Sequence, residues 1–219
     1  MRVQERILDL IFPPKCPYCQ RVLDIPRAPV CPICQASLPW LEGAAGERRI
    51  SSADGCFSPL AYGEAVRTAI HRYKFHRVRA LGRPFGVLMA QCLGERLPQG
   101  ADLVCWAPLS RKRLRERGFN QAELMAREVG RLMSIPAGPV LEKVKDTRPQ
   151  SELEEESARQ ANAQGAYALI PGAGLAGKRV VLVDDVVTSG ATLSECAALL
   201  RQAGAEQVFC LTLARARGD

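Results

Sequence analysis

The chain has 219 residues, of which 47% are hydrophobic and 24% charged, and its net charge at pH 7 is +7. This composition is ordinary for a soluble globular protein, and the length accommodates one domain with a substantial core plus a small appendage. No apolar run approaches the roughly 20 residues of a membrane span, and no signal peptide is visible. We therefore expect a cytoplasmic protein without a membrane span.

The N-terminal part carries two C-x-x-C pairs. Each pair can form a tight knuckle around one tetrahedral ion, and Pro17 and Pro32 occupy matching positions in the two knuckles. A cytosolic chain disfavours structural disulfides, and a redox C-x-x-C would need only one pair. The pattern therefore predicts a closed, structural Zn²⁺ site with four ligands: Cys16, Cys19, Cys31 and Cys34.

Two composition changes divide the chain. The first twelve residues, MRVQERILDLIF, have an amphipathic pattern, and we favour a helix docked on its own domain over a membrane-surface helix. Residues 39–54 are rich in Gly, Ala and Ser, which predicts a linker out of the zinc module. We therefore expect an N-terminal module at 1–54 and a larger domain at 55–219.

The positive charge is concentrated in two segments, Arg67–Arg79 and Arg111–Arg117, which favours phosphate-rich partners. In the first segment aromatic rings alternate with cations, a pattern typical of single-stranded nucleic-acid binding. Solvated helix faces and core aromatics are the alternative interpretation. The candidate nucleic-acid-binding residues are Arg72, Tyr73, Lys74, Phe75 and Arg77.

From residue 56 onward the predicted elements alternate. Strands are expected at Cys56–Tyr62, Asp102–Trp106, Val140–Val144, Val180–Val183 and Gln207–Leu213. Helices are expected at Glu64–Tyr73, at Phe85–Leu97, over the Ala122 to Leu132 pattern, at Glu152–Ala163 and from Leu193 to a stop at Gly204. This order predicts an α/β fold with a doubly wound, mainly parallel sheet, whose ligand lies at the carboxyl ends of the strands.

The stretch Val180–Thr192, VVLVDDVVTSGAT, predicts a buried strand, a tight loop and the start of a helix. The amides and hydroxyls of the loop favour a phosphate: Thr188, Ser189, Gly190, Ala191 and Thr192. Asp184 and Asp185 would repel a phosphate, but suit ribose hydroxyls or a bound Mg²⁺. The stretch therefore predicts a ribose-phosphate pocket.

This stretch resembles the phosphoribosyl-pyrophosphate (PRPP) motif of type I phosphoribosyltransferases. The whole chain resembles the ComF family, a bacterial group named for competence in DNA uptake, through this stretch, the four cysteines and the PLxxxRxxxRGFNQ pattern at Pro108–Gln121. The resemblance implies a type I phosphoribosyltransferase-like fold that binds PRPP with Mg²⁺. It also implies pyrophosphate contacts from the loop after the 102–106 strand and from a closing loop: Ser110, Arg111, Lys112, Arg113, Arg148 and Arg159.

Two functions are compatible with these features. The first is a protein that binds Mg-PRPP and handles single-stranded DNA, together with DNA-uptake proteins, in natural competence. The alternative is an active phosphoribosyltransferase that moves ribose 5-phosphate from PRPP to an amine or base and releases pyrophosphate. The sequence favours PRPP binding over catalysis, because neither a nucleobase-binding element nor an activated nucleophile or base stands out.

Overall fold

The structure, a computed structural model, describes residues 13–147 and 161–216. Its helices are α1 Pro32–Ser37, α2 Glu64–Phe75, α3 Gly82–Arg96, α4 Arg111–Arg117, α5 Gln121–Met133 and α6 Ala191–Gln202. Its strands are β1 Glu47–Arg48, β2 Gly55–Phe57, β3 Leu60–Ala61, β4 Leu103–Trp106, β5 Leu141–Lys143, β6 Tyr167–Leu169, β7 Arg179–Val187 and β8 Gln207–Arg215.

The main sheet has the strand order β1-β2-β8-β7-β4, and β3 also pairs with β8. Strands β2, β3 and β7 run parallel to β8, β4 runs parallel to β7, and β1 is antiparallel to β2. Strands β5 and β6 form a separate antiparallel pair. The expected α/β fold with a mainly parallel sheet is confirmed.

Strand β7 is apolar on both faces because the sheet lies between two cores. Val181 and Val183 pack in one core, with α2, α3, α5 and the N-terminal module. Val180 and Leu182 pack in the other, with α6. The five cysteines outside the C-x-x-C pairs are core residues, as their apolar surroundings predict: Cys56, Cys92, Cys105, Cys196 and Cys210.

Strand β7 is longer than its apolar run. The strand was predicted over Val180–Val183, but it continues through Asp184 and Asp185 to Val187, because β8 extends equally far and pairs with it. The helix that follows ends as expected. Gly204 adopts a left-handed φ of +91°, and the N–H of Ala205 reaches the carbonyl of Leu200 over 3.1 Å.

Residues 39–54 are not a free linker, which corrects the expectation from composition. Trp40 forms a bridge with Leu60, and β1 pairs with β2. The predicted strand Cys56–Tyr62 is in fact two strands, because Pro59 interrupts the pairing with β8. In the two described ranges, no helix combines the length and the apolar character that crossing a bilayer requires.

Helices α3 and α5 approach closely at Gly86. A Cβ atom at this position would lie 2.6 Å from Cβ of Glu128, whereas one at Gly94 on the same helix would meet only Cε of Met133, at 3.8 Å. Gly86→Ala should therefore cost about 1–3 kcal/mol of overpacking, which lowers the melting temperature by several degrees. Gly94→Ala should leave the melting temperature unchanged or raise it, because alanine favours the helix. Thermal unfolding followed by circular dichroism compares the two variants, and equal effects would contradict this close packing.

Candidate functional site

A cavity of about 410 Å³ lies at the carboxyl ends of β4 and β7. All seven residues predicted for the ribose and the 5-phosphate line it: Asp184, Asp185, Thr188, Ser189, Gly190, Ala191 and Thr192. Three further segments contribute Lys74 from α2, Arg113 and Arg117 from α4, and Lys143 with Tyr167 from the β5–β6 pair. The cavity is therefore where parallel strands end and the fold predicts a ligand.

The loop between β7 and α6 requires glycine at position 190. Gly190 has a φ of +82°, and a Cβ atom there would lie 2.4 Å from Cδ1 of Ile50. Ala191 begins α6 directly after it, so that backbone N–H groups of the first helical turn lie at the cavity wall. The loop thus has the backbone that an anion site needs.

The two acids have different surroundings. Asp185 is 6% exposed, and both of its oxygens accept hydrogen bonds: Oδ1 from Nζ of Lys74 at 2.8 Å and Oδ2 from Nε2 of Gln121 at 2.9 Å. Asp184 is half-buried, and its Oδ1 accepts the backbone N–H of Asp185 at 2.8 Å. Burial, together with the negative charge of Asp185, raises the pKa of Asp184 to about 7.

Among the described residues, cations outnumber acids around the cavity. Two aspartates there line the same space as five basic side chains: Arg67, Lys74, Arg113, Arg117 and Lys143. Burial lowers the pKa of Arg117 and of Lys143, and the charge of Arg113 lowers both further. Positive charges are therefore crowded in a partly desolvated space, which a polyanion would stabilise.

The residues predicted to hold pyrophosphate have different placements. Arg113 lines the cavity, and its Nη2 donates to the carbonyl of Thr147 at 2.8 Å. Ser110 is buried and caps α4, and its hydroxyl donates to Oδ1 of Asp146 at 2.6 Å. It therefore holds the loop after β4 against the segment that contains Asp146. Arg111 and Lys112 are exposed and are not among the cavity residues. Arg148 and Arg159 lie outside the described residues.

The segment predicted to bind nucleic acid is mostly engaged within the protein. Tyr73 is fully buried, which corrects the expectation that its ring stacks on bases, and Lys74 pairs with Asp185. Arg72 donates to the carbonyl of Pro17. Phe75 is 57% exposed, and Arg77 is exposed beside it. The spacing of Val66, Ala69, Ile70 and Tyr73, all buried on one face of α2, is the signal that identifies Tyr73 as core.

Several cavity residues had no predicted role in it. Arg117 and Gln121 stand in the PLxxxRxxxRGFNQ pattern, so the signal for them was present in the sequence. Arg67 and Lys74 belong to a basic segment, but nothing in that segment indicates that it faces Asp185. Lys143 and Tyr167 come from the separate β5–β6 pair, where the Lys143 ammonium lies 5.1 Å from the Tyr167 ring centroid. Strands as short as β5 and β6 have no sequence pattern from which their position beside the cavity could be predicted.

The four N-terminal cysteines form a second site. Their Sγ atoms all lie within 4.8 Å of one another. Tetrahedral Zn²⁺ with bonds of about 2.3 Å to sulfur places sulfurs about 3.8 Å apart, so this cluster fits the ion. The backbone N–H of Cys34 lowers the pKa of the Cys31 thiol to about 7, whereas burial raises the pKa of Cys19 and of Cys34, so the fit to zinc rests on the spacing of the sulfurs. With four protein ligands the site is closed and structural.

Comparisons with known proteins identify the two parts of the chain. A model of the phosphoribosyl transferase domain matches residues 115–219, and a model of the double zinc ribbon domain matches residues 7–48. Among solved structures, the chain resembles adenine phosphoribosyltransferase from Saccharomyces cerevisiae with a TM-score of 0.41 and 17% identity, over 63% of this chain and 71% of that one. The protein therefore has a type I phosphoribosyltransferase fold joined to a four-cysteine zinc ribbon.

Curated relatives narrow the class to a family. The chain is 33% identical to Competence protein F from Haemophilus influenzae, over 71% of this chain and 70% of that protein. It is 31% identical to DNA utilization protein YhgH from Escherichia coli K12, over 90% of this chain and 82% of that protein. Competence protein ComFC from Streptococcus pneumoniae is 27% identical over 71% of this chain and 66% of that protein. The chain belongs to the ComF family.

The raised pKa of Asp184 predicts a pH-dependent cost to folding. Its pKa in the folded state, about 7, lies above that of an aspartate in an unfolded chain, about 4, so stability falls as the pH rises from about 4 to about 7 and stays low above that. Asp184→Asn removes this cost, and should raise the melting temperature by several degrees at pH 8 and progressively less towards pH 4. Glu142→Gln removes a charge from an exposed position and should show no such trend. Melting curves across this pH range would contradict the assignment if the two variants behaved alike.

Proposed function

We propose that the protein binds PRPP with Mg²⁺ in the cavity at the ends of β4 and β7, and that it handles single-stranded DNA in DNA uptake or utilization. The observation that carries the first part is the division of charge within one cavity. Carboxylates lie at the end of β7, amides and hydroxyls follow in the next loop, and Arg113, Arg117 and Lys143 line the same cavity. PRPP carries the matching groups: hydroxyls on its ribose, a phosphate on C5 and a pyrophosphate on C1.

Each part of the ligand has a matching group in this proposal. The Asp184 carboxylate accepts hydrogen bonds from ribose hydroxyls, while Thr188, Ser189 and Thr192 donate to the 5-phosphate beside the first turn of α6. Arg113, Arg117 and Lys143 neutralise the pyrophosphate. The carboxylate oxygens of Asp184 suit Mg²⁺, which would supply further charge neutralisation on the phosphates. Lys74 already neutralises the charge of Asp185, so Asp184 is the acid that binds the ligand in this proposal.

The DNA-handling part draws on the names of the relatives and on the surface near the cavity. The relatives are called competence proteins and DNA utilization proteins. The exposed Phe75 ring has the Arg117 guanidinium 5.3 Å from its centroid, and exposed Arg77 donates to the carbonyl of Glu116. Five of the seven residues of α4 are basic, and the three that do not line the cavity are exposed: Arg111, Lys112 and Arg115. This combination of cations with an exposed ring suits a single strand, whose phosphates and bases need both.

PRPP binding should stabilise the protein. With Mg-PRPP at about 100 times its dissociation constant, the stabilisation is about 2.7 kcal/mol, which corresponds to a rise of several degrees in melting temperature. Asp184→Asn and Arg113→Ala should each remove most of this rise. Arg115→Ala removes the same charge from an exposed position on the same helix and should keep it.

Differential scanning fluorimetry with and without Mg-PRPP measures these shifts, and isothermal titration calorimetry gives the affinities. A wild-type protein without a shift, or a shift that survives Asp184→Asn and Arg113→Ala, would count against the cavity. Turnover of PRPP measured with a panel of amines and bases then separates a binding protein from an active transferase, because only the transferase releases pyrophosphate.

Single-stranded DNA binding should depend on the surface residues rather than on the whole 72–77 segment. Phe75→Ala should weaken binding several-fold with little change in its salt dependence, because it removes stacking. Arg77→Ala should weaken binding and reduce the slope of log K against log salt by about one. Arg131→Ala, which removes a cation from the exposed end of α5, serves as the charge-matched control. Fluorescence anisotropy with a labelled oligonucleotide measures these affinities at several salt concentrations, and Arg131→Ala should bind as the wild type does. If Phe75→Ala and Arg77→Ala also bind as the wild type does, this surface is not the DNA-binding site.

A further inference from the structure

Three consecutive residues of α2 contact three different parts of the protein. Arg72 donates through Nη2 to the carbonyl of Pro17, inside the first cysteine knuckle. The Tyr73 hydroxyl donates to the carbonyl of Gln121 at 2.9 Å. The Lys74 ammonium pairs with Asp185 at 2.8 Å. Successive helical residues point about 100° apart, so one turn of α2 joins the zinc ribbon, the core and the cavity.

The knuckle holds α2 in two ways. The Pro17 carbonyl lies between Cys16 and Cys19, so its position depends on how these ligands close around their ion. Arg72 reaches it with a charge-assisted hydrogen bond, and Nε of the same guanidinium is buried without a partner among the described residues. Beside this bond, the rings of Tyr18, Phe85 and Tyr73 form a row, with centroids 6.1 Å and 5.4 Å apart.

The other end of this connection lies in the cavity. Lys74 and Gln121 both line the cavity, and together they occupy both oxygens of Asp185. The same Gln121 supplies the carbonyl that Tyr73 binds. A displacement of α2 would therefore disturb both hydrogen bonds to Asp185 at once. It would also leave a buried carboxylate without its cation, beside the second acid, Asp184.

We propose that α2 couples the zinc ribbon to the ribose-phosphate cavity, with Arg72 as the positioning residue that fixes Lys74 and Gln121 on Asp185. This inference rests on the proposed PRPP site and gives the ribbon a role in that site. A metal-loaded knuckle is folded and presents the Pro17 carbonyl, whereas the loss of the ion unfolds the knuckle and removes the acceptor of Arg72. Because coupling between two sites is reciprocal, Mg-PRPP must in turn strengthen the retention of zinc.

The first measurement uses the zinc-loaded wild-type protein. Its affinity for Mg-PRPP is determined by calorimetry, before and after zinc is withdrawn with a zinc-selective chelator in excess Mg²⁺, and circular dichroism monitors the fold. We expect the affinity to fall at least fivefold on zinc withdrawal. In the reverse direction, saturating Mg-PRPP should raise the affinity for zinc by the same factor, measured by equilibrium competition with a chromogenic chelator.

The second measurement separates coupling from general damage to the ribbon. Arg72→Ala should retain about one zinc per chain but bind Mg-PRPP about five- to tenfold more weakly, and Arg72→Lys should recover part of the loss. Gln20→Ala is the matched control, because Nε2 of Gln20 also bonds a knuckle carbonyl, that of Cys16 at 2.9 Å, from within the ribbon itself. It should leave PRPP affinity unchanged.

A double-mutant cycle with Lys74→Met tests whether Arg72 affects PRPP affinity through Lys74. If Arg72 acts through Lys74, Arg72→Ala adds little further loss of affinity in the Lys74→Met background. Fully additive losses, or an Arg72→Ala variant that binds as Gln20→Ala does, would overturn the proposal. If Arg72→Ala fails to fold, the comparison of Arg72→Lys with Gln20→Ala carries the test. A wild-type protein that does not bind Mg-PRPP would instead refute the proposed function itself.

Discussion

The pairing of Asp185 with Lys74 and Gln121 is the interaction on which the site depends. A carboxylate that is only 6% exposed costs several kcal/mol unless its charge is balanced and its oxygens are satisfied. Lys74 supplies the charge from α2, and Gln121 supplies a second donor from the start of α5. Two helices that are far apart in sequence are thereby fixed against the end of β7.

This arrangement assigns different roles to two adjacent acids. Both acids line the cavity, but Asp185 is buried and bonded to Lys74 and Gln121, whereas Asp184 is half-buried and has a pKa raised to about 7. The strand that carries them alternates between two cores, so consecutive residues necessarily face opposite sides of the sheet. Consecutive aspartates on such a strand therefore have different neighbours: Lys74 and Gln121 donate to Asp185, whereas Asp184 accepts the backbone N–H of Asp185.

The sequence predicted best what is local and continuous. The β7–α6 unit was visible because its apolar run, acids, glycine and helix pattern are contiguous, and the zinc ligands because their spacing is regular. The sequence did not show that Lys143 and Tyr167 reach the cavity, because their short β5–β6 pair lies outside the main sheet. The Arg72–Phe75 segment combined two patterns: its composition resembled a nucleic-acid surface, while its helical periodicity placed Tyr73 in the core. The helical spacing decided the position of Tyr73, which shares one buried face of α2 with Val66, Ala69 and Ile70, whereas Phe75 is exposed.

The two edge strands of the main sheet, β1 and β4, are short or covered. At one margin β1 has only two residues. At the other, the backbone of β4 is occupied at Val104, whose N–H donates to the carbonyl of Pro136 at 2.9 Å and whose carbonyl accepts the N–H of Gly138 at 3.0 Å. Neither margin offers a long row of unpaired peptide groups to an incoming chain. The edges of the main sheet, as far as the structure describes them, are thereby protected from pairing with a strand of another chain.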